Sequence, residues 1–188
     1  MEILNGTRKT FSKLIVMHIA MSIFGLIMSI ATRMLAENTS GSLVLYYIVG
    51  ALAIGMYLMI IYVDMWELGA ADKIKIDGGR YKYRAFKGML VLALANIPTI
   101  IFGACATISC YMETKVIKWL GFMSPLYNGM YTIFTDKGGL DLSAYFPPVY
   151  ILLCIPAIIV GFISYILGAK GFKCLFPEPK KKQDEHTR

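Results

Sequence analysis

The chain has few charged residues and few of the side chains that carry most enzyme chemistry. Only 16% of its 188 residues are charged, against about 25% in an average soluble domain. It has two histidines, His18 and His186, and four cysteines without a C-x-x-C spacing. The H-E-x-x-H motif, the G-x-S-x-G elbow and the Walker A loop are also missing. We therefore predict that the chain is not an enzyme, and we predict no metal or cofactor site.

Long apolar runs make up much of the chain. Hydrophobic residues account for 57% of it, and its mean hydropathy is +0.60. A helix needs about 20 apolar residues to cross a bilayer. Four runs reach that length, at residues 14–33, 43–64, 88–112 and 147–169. They predict an all-α integral membrane protein of one domain, in which four transmembrane helices form a bundle in the lipid bilayer.

The basic residues are distributed unevenly between the predicted spans. Three Lys/Arg precede the first span, six lie in loop 65–87, six lie in the tail 170–188, and only four lie elsewhere. Loops rich in Lys and Arg stay in the cytoplasm. We therefore predict that both termini and loop 65–87 are cytoplasmic, with the plasma membrane as the location. The net charge of +7 then reflects topology and not nucleic-acid binding.

The predicted outer loop, 113–146, contains a stretch of intermediate character. Residues 116–134 are moderately apolar but are interrupted by polar and helix-breaking residues, namely Lys118, Gly121, Pro125, Asn128 and Gly129. This composition is typical of an interfacial or re-entrant segment. A fifth span here would place the basic tail outside, against the positive-inside rule.

Loop 65–87 contains an alternating pattern around Asp77-Gly78. Lys-Ile-Lys-Ile precedes this dipeptide, and Arg-Tyr-Lys-Tyr-Arg follows Gly79. Asp-Gly between alternating residues is a strong hairpin signal. We predict a short β-hairpin-like loop whose basic face binds anionic lipid headgroups or a membrane partner. That face consists of Lys73, Lys75, Arg80, Lys82 and Arg84. The alternative is a plain loop whose charges only fix the topology.

Small and polar residues inside the spans indicate how the helices pack. Small residues four positions apart let helices approach closely in lipid. The pairs are Gly25/Ser29, Ala51/Gly55, Ala157/Gly161 and Ser164/Gly168, and they predict a compact bundle or a homo-oligomer. In the third span, Asn96 and Pro98 predict either a structural kink or a polar point on a transport path.

Two functional hypotheses follow. The leading one is a small non-enzymatic membrane subunit or scaffold that acts through helix packing and a basic cytoplasmic surface. The alternative is a small oligomeric transporter or channel component with a polar path near Asn96 and Pro98. His18 lies inside the first predicted span, and we expect it to make a structural hydrogen bond there.

Overall fold

The computed structural model describes residues 7–38, 44–80, 82–112, 114–135 and 140–172. Within these ranges all regular structure is helical, so the predicted all-α class is confirmed. The elements in chain order are α1 (Arg8–Asn38), α2 (Val44–Asp77), α3 (Lys87–Ala95), α4 (Ile97–Ser109), α5 (Lys115–Phe122), α6 (Ser124–Asn128), a 3₁₀ helix (Gly129–Tyr131), α7 (Thr132–Thr135), α8 (Leu142–Tyr145), α9 (Val149–Leu152) and α10 (Ile155–Lys170). From residue 173 onward, the predicted basic tail lies outside the described residues.

Several helices are long and apolar enough to cross a membrane. In the described ranges these are Lys9–Leu35, Val44–Asp77 and Val149–Lys170, and the bent pair α3–α4 adds a fourth if it crosses as one. Their outward faces carry large apolar side chains such as Ile27 and Leu52, which are about 60% exposed. Apolar surface on this scale contacts lipid or protein, so the helices are compatible with a membrane protein.

The third predicted span is bent by 53° where α3 meets α4. Pro98 lies in the first turn of α4 and has no N–H to give to the carbonyl four residues earlier. Asn96 is buried at the break, and its Nδ2 donates to the Leu92 carbonyl oxygen at 2.9 Å. The bend is therefore a proline kink, and the Asn96 amide strengthens the helical turn before it.

The helix ends define two ends of the bundle. The start of α1, the end of α2, the start of α3 and the end of α10 share one end, which we call the basic end. Lys13 of α1 pairs there with Asp64 of α2, and Lys87 of α3 pairs with Asp72 of α2, each at 2.6 Å. The opposite end of the bundle, where α4 ends and α9 begins, is the far end.

The small residues of α10 lie at close helix contacts. Ala157, Gly161, Ser164 and Gly168 are all buried. A Cβ built on Gly168 would lie 3.0 Å from the backbone nitrogen of Ala70 in α2, and one built on Gly161 would overlap the Leu92 side chain of α3. By contrast, Ala51 is exposed, and a Cβ on Gly55 would meet no atom within 4 Å. That pair of α2 faces away from the rest of the described chain.

The predicted hairpin is wrong for residues 73–77, because α2 continues as a helix to Asp77. Gly79 has a φ of +69°. Its N–H donates to the Ile76 carbonyl, and the Arg80 N–H donates to the Lys75 carbonyl, both at 2.9 Å. These two bonds form a Schellman motif that ends a helix.

The run Asp77-Gly78-Gly79 suits both a hairpin turn and a helix end, because each needs a residue that tolerates positive φ, and here that residue is Gly79. The helix forms here for two local reasons. Ala70 and Ala71 are strong helix formers just upstream. Lys73 and Asp77 form an i,i+4 ion pair of 3.0 Å, which a strand would break.

Candidate functional site

Residues 115–135, here called the inserted segment, fold back within the bundle. Gly121 of α5 packs against the last turns of α4 near the far end. Further along, the ring of Tyr127 stacks on Phe102 of α4, with the ring centroids 4.3 Å apart. The segment then turns toward α2, where Ile133 contacts Gly50. It therefore enters from the far end, reaches the middle of the bundle and returns.

His18 of α1 meets the inserted segment at its deepest point. The imidazole Nε2 lies 2.8 Å from the Tyr127 carbonyl oxygen and 2.7 Å from the Thr99 hydroxyl of α4. Nδ1 lies 2.6 Å from the Tyr57 hydroxyl of α2. Because a carbonyl can only accept, Nε2 must carry the hydrogen, and Nδ1 then accepts from Tyr57. One buried side chain thus joins three helices and the inserted segment.

Ser22, one turn after His18, supplies a second bond to the same carbonyl. Its hydroxyl donates to the Tyr127 oxygen at 2.9 Å. The last carbonyls of a helix have no partner within that helix. Tyr127 lies at the end of the short helix α6, so His18 and Ser22 satisfy a carbonyl that the inserted segment leaves open.

Two glycines allow the inserted segment to lie directly on α1. A Cβ on Gly25 would lie 2.5 Å from the Met130 Cα, and a Cβ on Gly129 would overlap the Ser22 carbonyl oxygen. The closest contacts of Gly25 are therefore with the inserted segment. Ser29, its partner in the predicted small-residue pair, is buried and lines a cavity described next.

A cavity of about 250 Å³ opens between α1, the inserted segment and α9, toward the far end. Its walls are mostly small and hydroxyl-bearing side chains. The lining consists of Leu26, Ser29, Ile30, Arg33, Gly121, Ser124, Pro125, Asn128, Thr132, Thr135 and Tyr150. We call it the far-end cavity, and the His18 network lies beneath it.

Asn128 is the one side-chain amide among the residues that line this cavity. It is 2% exposed, and its Nδ2 donates to the Ser124 hydroxyl at 3.3 Å. Its Oδ1 is buried and has no hydrogen-bond partner within the described chain. A buried amide oxygen without a donor costs about 1–3 kcal/mol, which favours binding of a group that can donate to it.

The predicted polar-path residues lie close to this region but do not line the far-end cavity. Asn96 is buried at the kink, and its Oδ1 has no partner within the described ranges. Pro98 bends α4 at the residue before Thr99, whose hydroxyl contacts His18. Asn96 and Pro98 therefore affect where Thr99 of α4 lies in the His18 network, beneath the cavity.

A buried ion pair at the basic end ties α2, α3 and α10 together. Asp72 and Lys87 are at most 3% exposed, and their side chains meet at 2.6 Å. The Tyr165 hydroxyl donates to the same Asp72 oxygen at 3.0 Å, and Lys75 lies 3.7 Å from the other oxygen. Removing one partner would leave a buried charge uncompensated, so this cluster fixes the helix arrangement.

The predicted basic face lies around the end of α2. Arg80, Lys82 and Arg84 are exposed, whereas Lys73 pairs with Asp77 and Lys75 lies near Asp72. The five residues do not share a strand face, because α2 and its cap replace the hairpin. Of the five, only Arg80, Lys82 and Arg84 form no ion pair with another described residue.

The sequence prediction missed most of the polar residues at the centre of the bundle. One signal was available, since His18, Ser22, Gly25 and Ser29 follow helical spacing and form one polar or small stripe on α1. Thr99, Tyr127 and Asn128 carry no comparable pattern. Asp72 and Lys87 become neighbours only once α2 is known to extend past residue 64.

No protein-family model matches the chain, and neither a curated protein nor a solved structure matches it. Within the described ranges, no group of three or more His, Cys, Asp or Glu side chains is placed to hold a metal ion.

Proposed function

We propose that the chain is a multi-pass membrane protein that binds a small polar solute in the far-end cavity, as a transporter or channel component. The observation that carries this proposal is the Asn128 Oδ1, buried and without a described partner, in the wall of a cavity rich in hydroxyl groups. Ligand sites combine a concave shape with a few polar groups that fix orientation.

The inserted segment is an argument for a transport role over a role in helix packing alone. Non-helical backbone at membrane depth is tolerated where it is buried in protein or lines a water-filled cavity. Both conditions fit a re-entrant reading of this segment, because its Tyr127 carbonyl is bonded by α1 while Ser124 and Asn128 line the cavity. A scaffold that works by helix packing has no need of such a segment, so we rank transport above the scaffold role.

The cavity wall suggests the class of solute. Ser and Thr hydroxyls both donate and accept, while Asn128 offers an acceptor. A volume of about 250 Å³ is below the range of about 300–1,000 Å³ for typical ligand pockets. We therefore propose a small solute with an N–H or O–H donor, such as a short amide or polyol.

Solute flux into proteoliposomes tests this proposal, with urea, acetamide and glycerol as probes. Thr132→Val and Thr135→Val remove hydroxyls from the cavity, and Thr107→Val removes one outside it. We expect the two cavity variants to slow flux of at least one probe by up to about tenfold, the effect of losing one hydrogen bond. The Thr107 variant should match the wild type. Flux no faster than in protein-free liposomes for every probe would contradict the proposal.

A second candidate is the scaffold role, favoured by the exposed Arg80, Lys82 and Arg84 at the basic end. Each basic residue near an anionic surface contributes about 1 kcal/mol of attraction. Reversing all three to Glu should release copurifying partner proteins while the protein still inserts. Lys115→Glu, at the far end, is the matched control. Partners retained by the triple variant would count against this role.

A further inference from the structure

A second cavity lies between α1 and α2 at the basic end. It encloses about 280 Å³ and is lined by Thr10, Lys13, Asp64, Glu67, Leu68, Ala71 and Lys75. The apolar run of α1 begins directly after Lys13, and that of α2 ends directly before Asp64. In a membrane, this level of the bundle meets the lipid headgroups.

The charges in this cavity include a carboxylate that is half satisfied. The Asp64 side chain is 4% exposed, and its Oδ1 accepts a hydrogen bond from Lys13 Nζ at 2.6 Å. Its Oδ2 is buried and accepts no hydrogen bond from the described residues. Because each carboxylate oxygen can accept two bonds, Asp64 retains capacity for another strong donor.

The other charges suit a ligand with both signs. Glu67 lies one helical turn after Asp64 on α2 and is exposed. Lys13 and Lys75 are each about half exposed and line the same cavity. An ammonium group fits the two acids, and a phosphate beside it fits the two lysines, with charge-assisted hydrogen bonds at each.

We propose that the basic-end cavity binds the phosphoethanolamine headgroup of a phospholipid, with Asp64 and Glu67 taking the ammonium and Lys13 and Lys75 taking the phosphate. The inference rests on the membrane location proposed above. A choline headgroup has no N–H for Asp64 Oδ2, and a glycerol headgroup has no cation. A lipid is favoured over free phosphoethanolamine because Val16, about one helical turn after Lys13 on α1, is 64% exposed and suits contact with an acyl chain.

The test is native mass spectrometry of the purified full chain with equal amounts of phosphatidylethanolamine, phosphatidylcholine and phosphatidylglycerol. We expect phosphatidylethanolamine to be retained about tenfold more than either of the others, the effect of one charge-assisted hydrogen bond. Glu67→Gln and Asp64→Asn should abolish that preference. Asp77→Asn, which changes an acid of α2 outside the cavity, should keep it. Glu67 is exposed, so its variant keeps the test valid if Asp64→Asn fails to fold.

Equal retention of the three lipids would overturn the inference, as would an unchanged preference in both cavity variants. Displacement of the lipid by an equal concentration of O-phosphoethanolamine would also overturn it, because the ligand would then be the free solute. Thr135→Val should retain phosphatidylethanolamine even if it stops solute flux, which separates this site from the far-end cavity. Failure of the wild-type chain to resist alkaline extraction from membranes would refute the membrane proposal itself.

Discussion

The Nε2 atom of His18 lies 2.8 Å from the backbone carbonyl oxygen of Tyr127, although the two residues are 109 positions apart. This bond joins the first helix to the deepest point of the inserted segment. His18 also contacts the hydroxyls of Tyr57 on α2 and Thr99 on α4. The imidazole thus links α1, α2, α4 and the inserted segment at the polar centre of the bundle, and Ser22 adds a second bond to the Tyr127 carbonyl.

Replacing that imidazole should loosen the bundle. His18→Ala leaves the Tyr57 hydroxyl without this acceptor and weakens the hydrogen bonding of the Tyr127 carbonyl, and each buried group left unpaired costs about 1–3 kcal/mol. We expect a clear drop in melting temperature in nanodiscs. Val16→Ala, an exposed change on the same helix, should have little effect. Equal melting temperatures for the two variants would count against the network.

The buried ion pair of Asp72 and Lys87 should show strong coupling. Lys87→Met leaves Asp72 buried without its closest cation, so we expect a loss of about 3–5 kcal/mol in the free energy of unfolding. Adding Asp72→Asn to this variant should restore part of the lost free energy of unfolding. A double-mutant cycle measures this coupling. Asp77→Asn breaks the exposed pair with Lys73 and should cost under about 1 kcal/mol. A cycle without coupling would contradict the buried pair.

Alanine substitutions at two glycines of the long helices should change stability in opposite directions. Gly168→Ala would push a methyl group into the Trp66 backbone of α2, which cannot move aside cheaply, so it should lower stability. Gly55→Ala meets no atom within 4 Å and should raise stability by up to about 1 kcal/mol through helix propensity. Thermal unfolding of both variants in one detergent measures the difference. Destabilisation by Gly55→Ala would reveal a helix partner on that face, such as a second copy.

The helix end at Asp77 can be distinguished from a hairpin by its two glycines. Gly79 has positive φ, so Gly79→Ala should cost about 1 kcal/mol and weaken amide protection in the last turn of α2. Gly78 does not have positive φ, so Gly78→Ala should be neutral or stabilising. Hydrogen exchange of the segment around residues 70–80 reports both. A hairpin turn at Asp77-Gly78 would give the reverse order, because its strain falls on Gly78.

The helical class and the apolar runs were readable from the sequence, because burial in lipid imposes long uninterrupted stretches. The end of α2 could not be read from the sequence, because a helix that extends beyond the membrane tolerates charged residues. The sequence therefore predicts a loop directly after Asp64, whereas these residues continue the helix to Asp77. The Asp-Gly-Gly run predicts a hairpin turn, and that prediction is wrong because the run ends a helix here. The pattern does not distinguish a turn between strands from a helix cap.

The candidate site was less predictable for a different reason. Gly121, Pro125 and Gly129 interrupt residues 116–134, and such a composition predicts a segment that is not a regular span. Their contacts depend on tertiary structure, because the Tyr127 carbonyl is a backbone group that any residue could supply. His18 was expected to be hydrogen-bonded, but its partners on α2, α4 and the inserted segment could not be read from its neighbours in sequence.

Side-specific labelling of a cysteine in the far-end cavity tests the central claim most directly. The four native cysteines are replaced, and Thr132→Cys and Lys82→Cys are introduced separately. A membrane-impermeant thiol reagent is then applied to either side of sealed vesicles. The account predicts that Thr132→Cys is labelled only from the side opposite to the one that labels Lys82→Cys, and that a bound solute slows this labelling. Labelling of both positions from the same side, or none at Thr132→Cys in a folded protein, would contradict it.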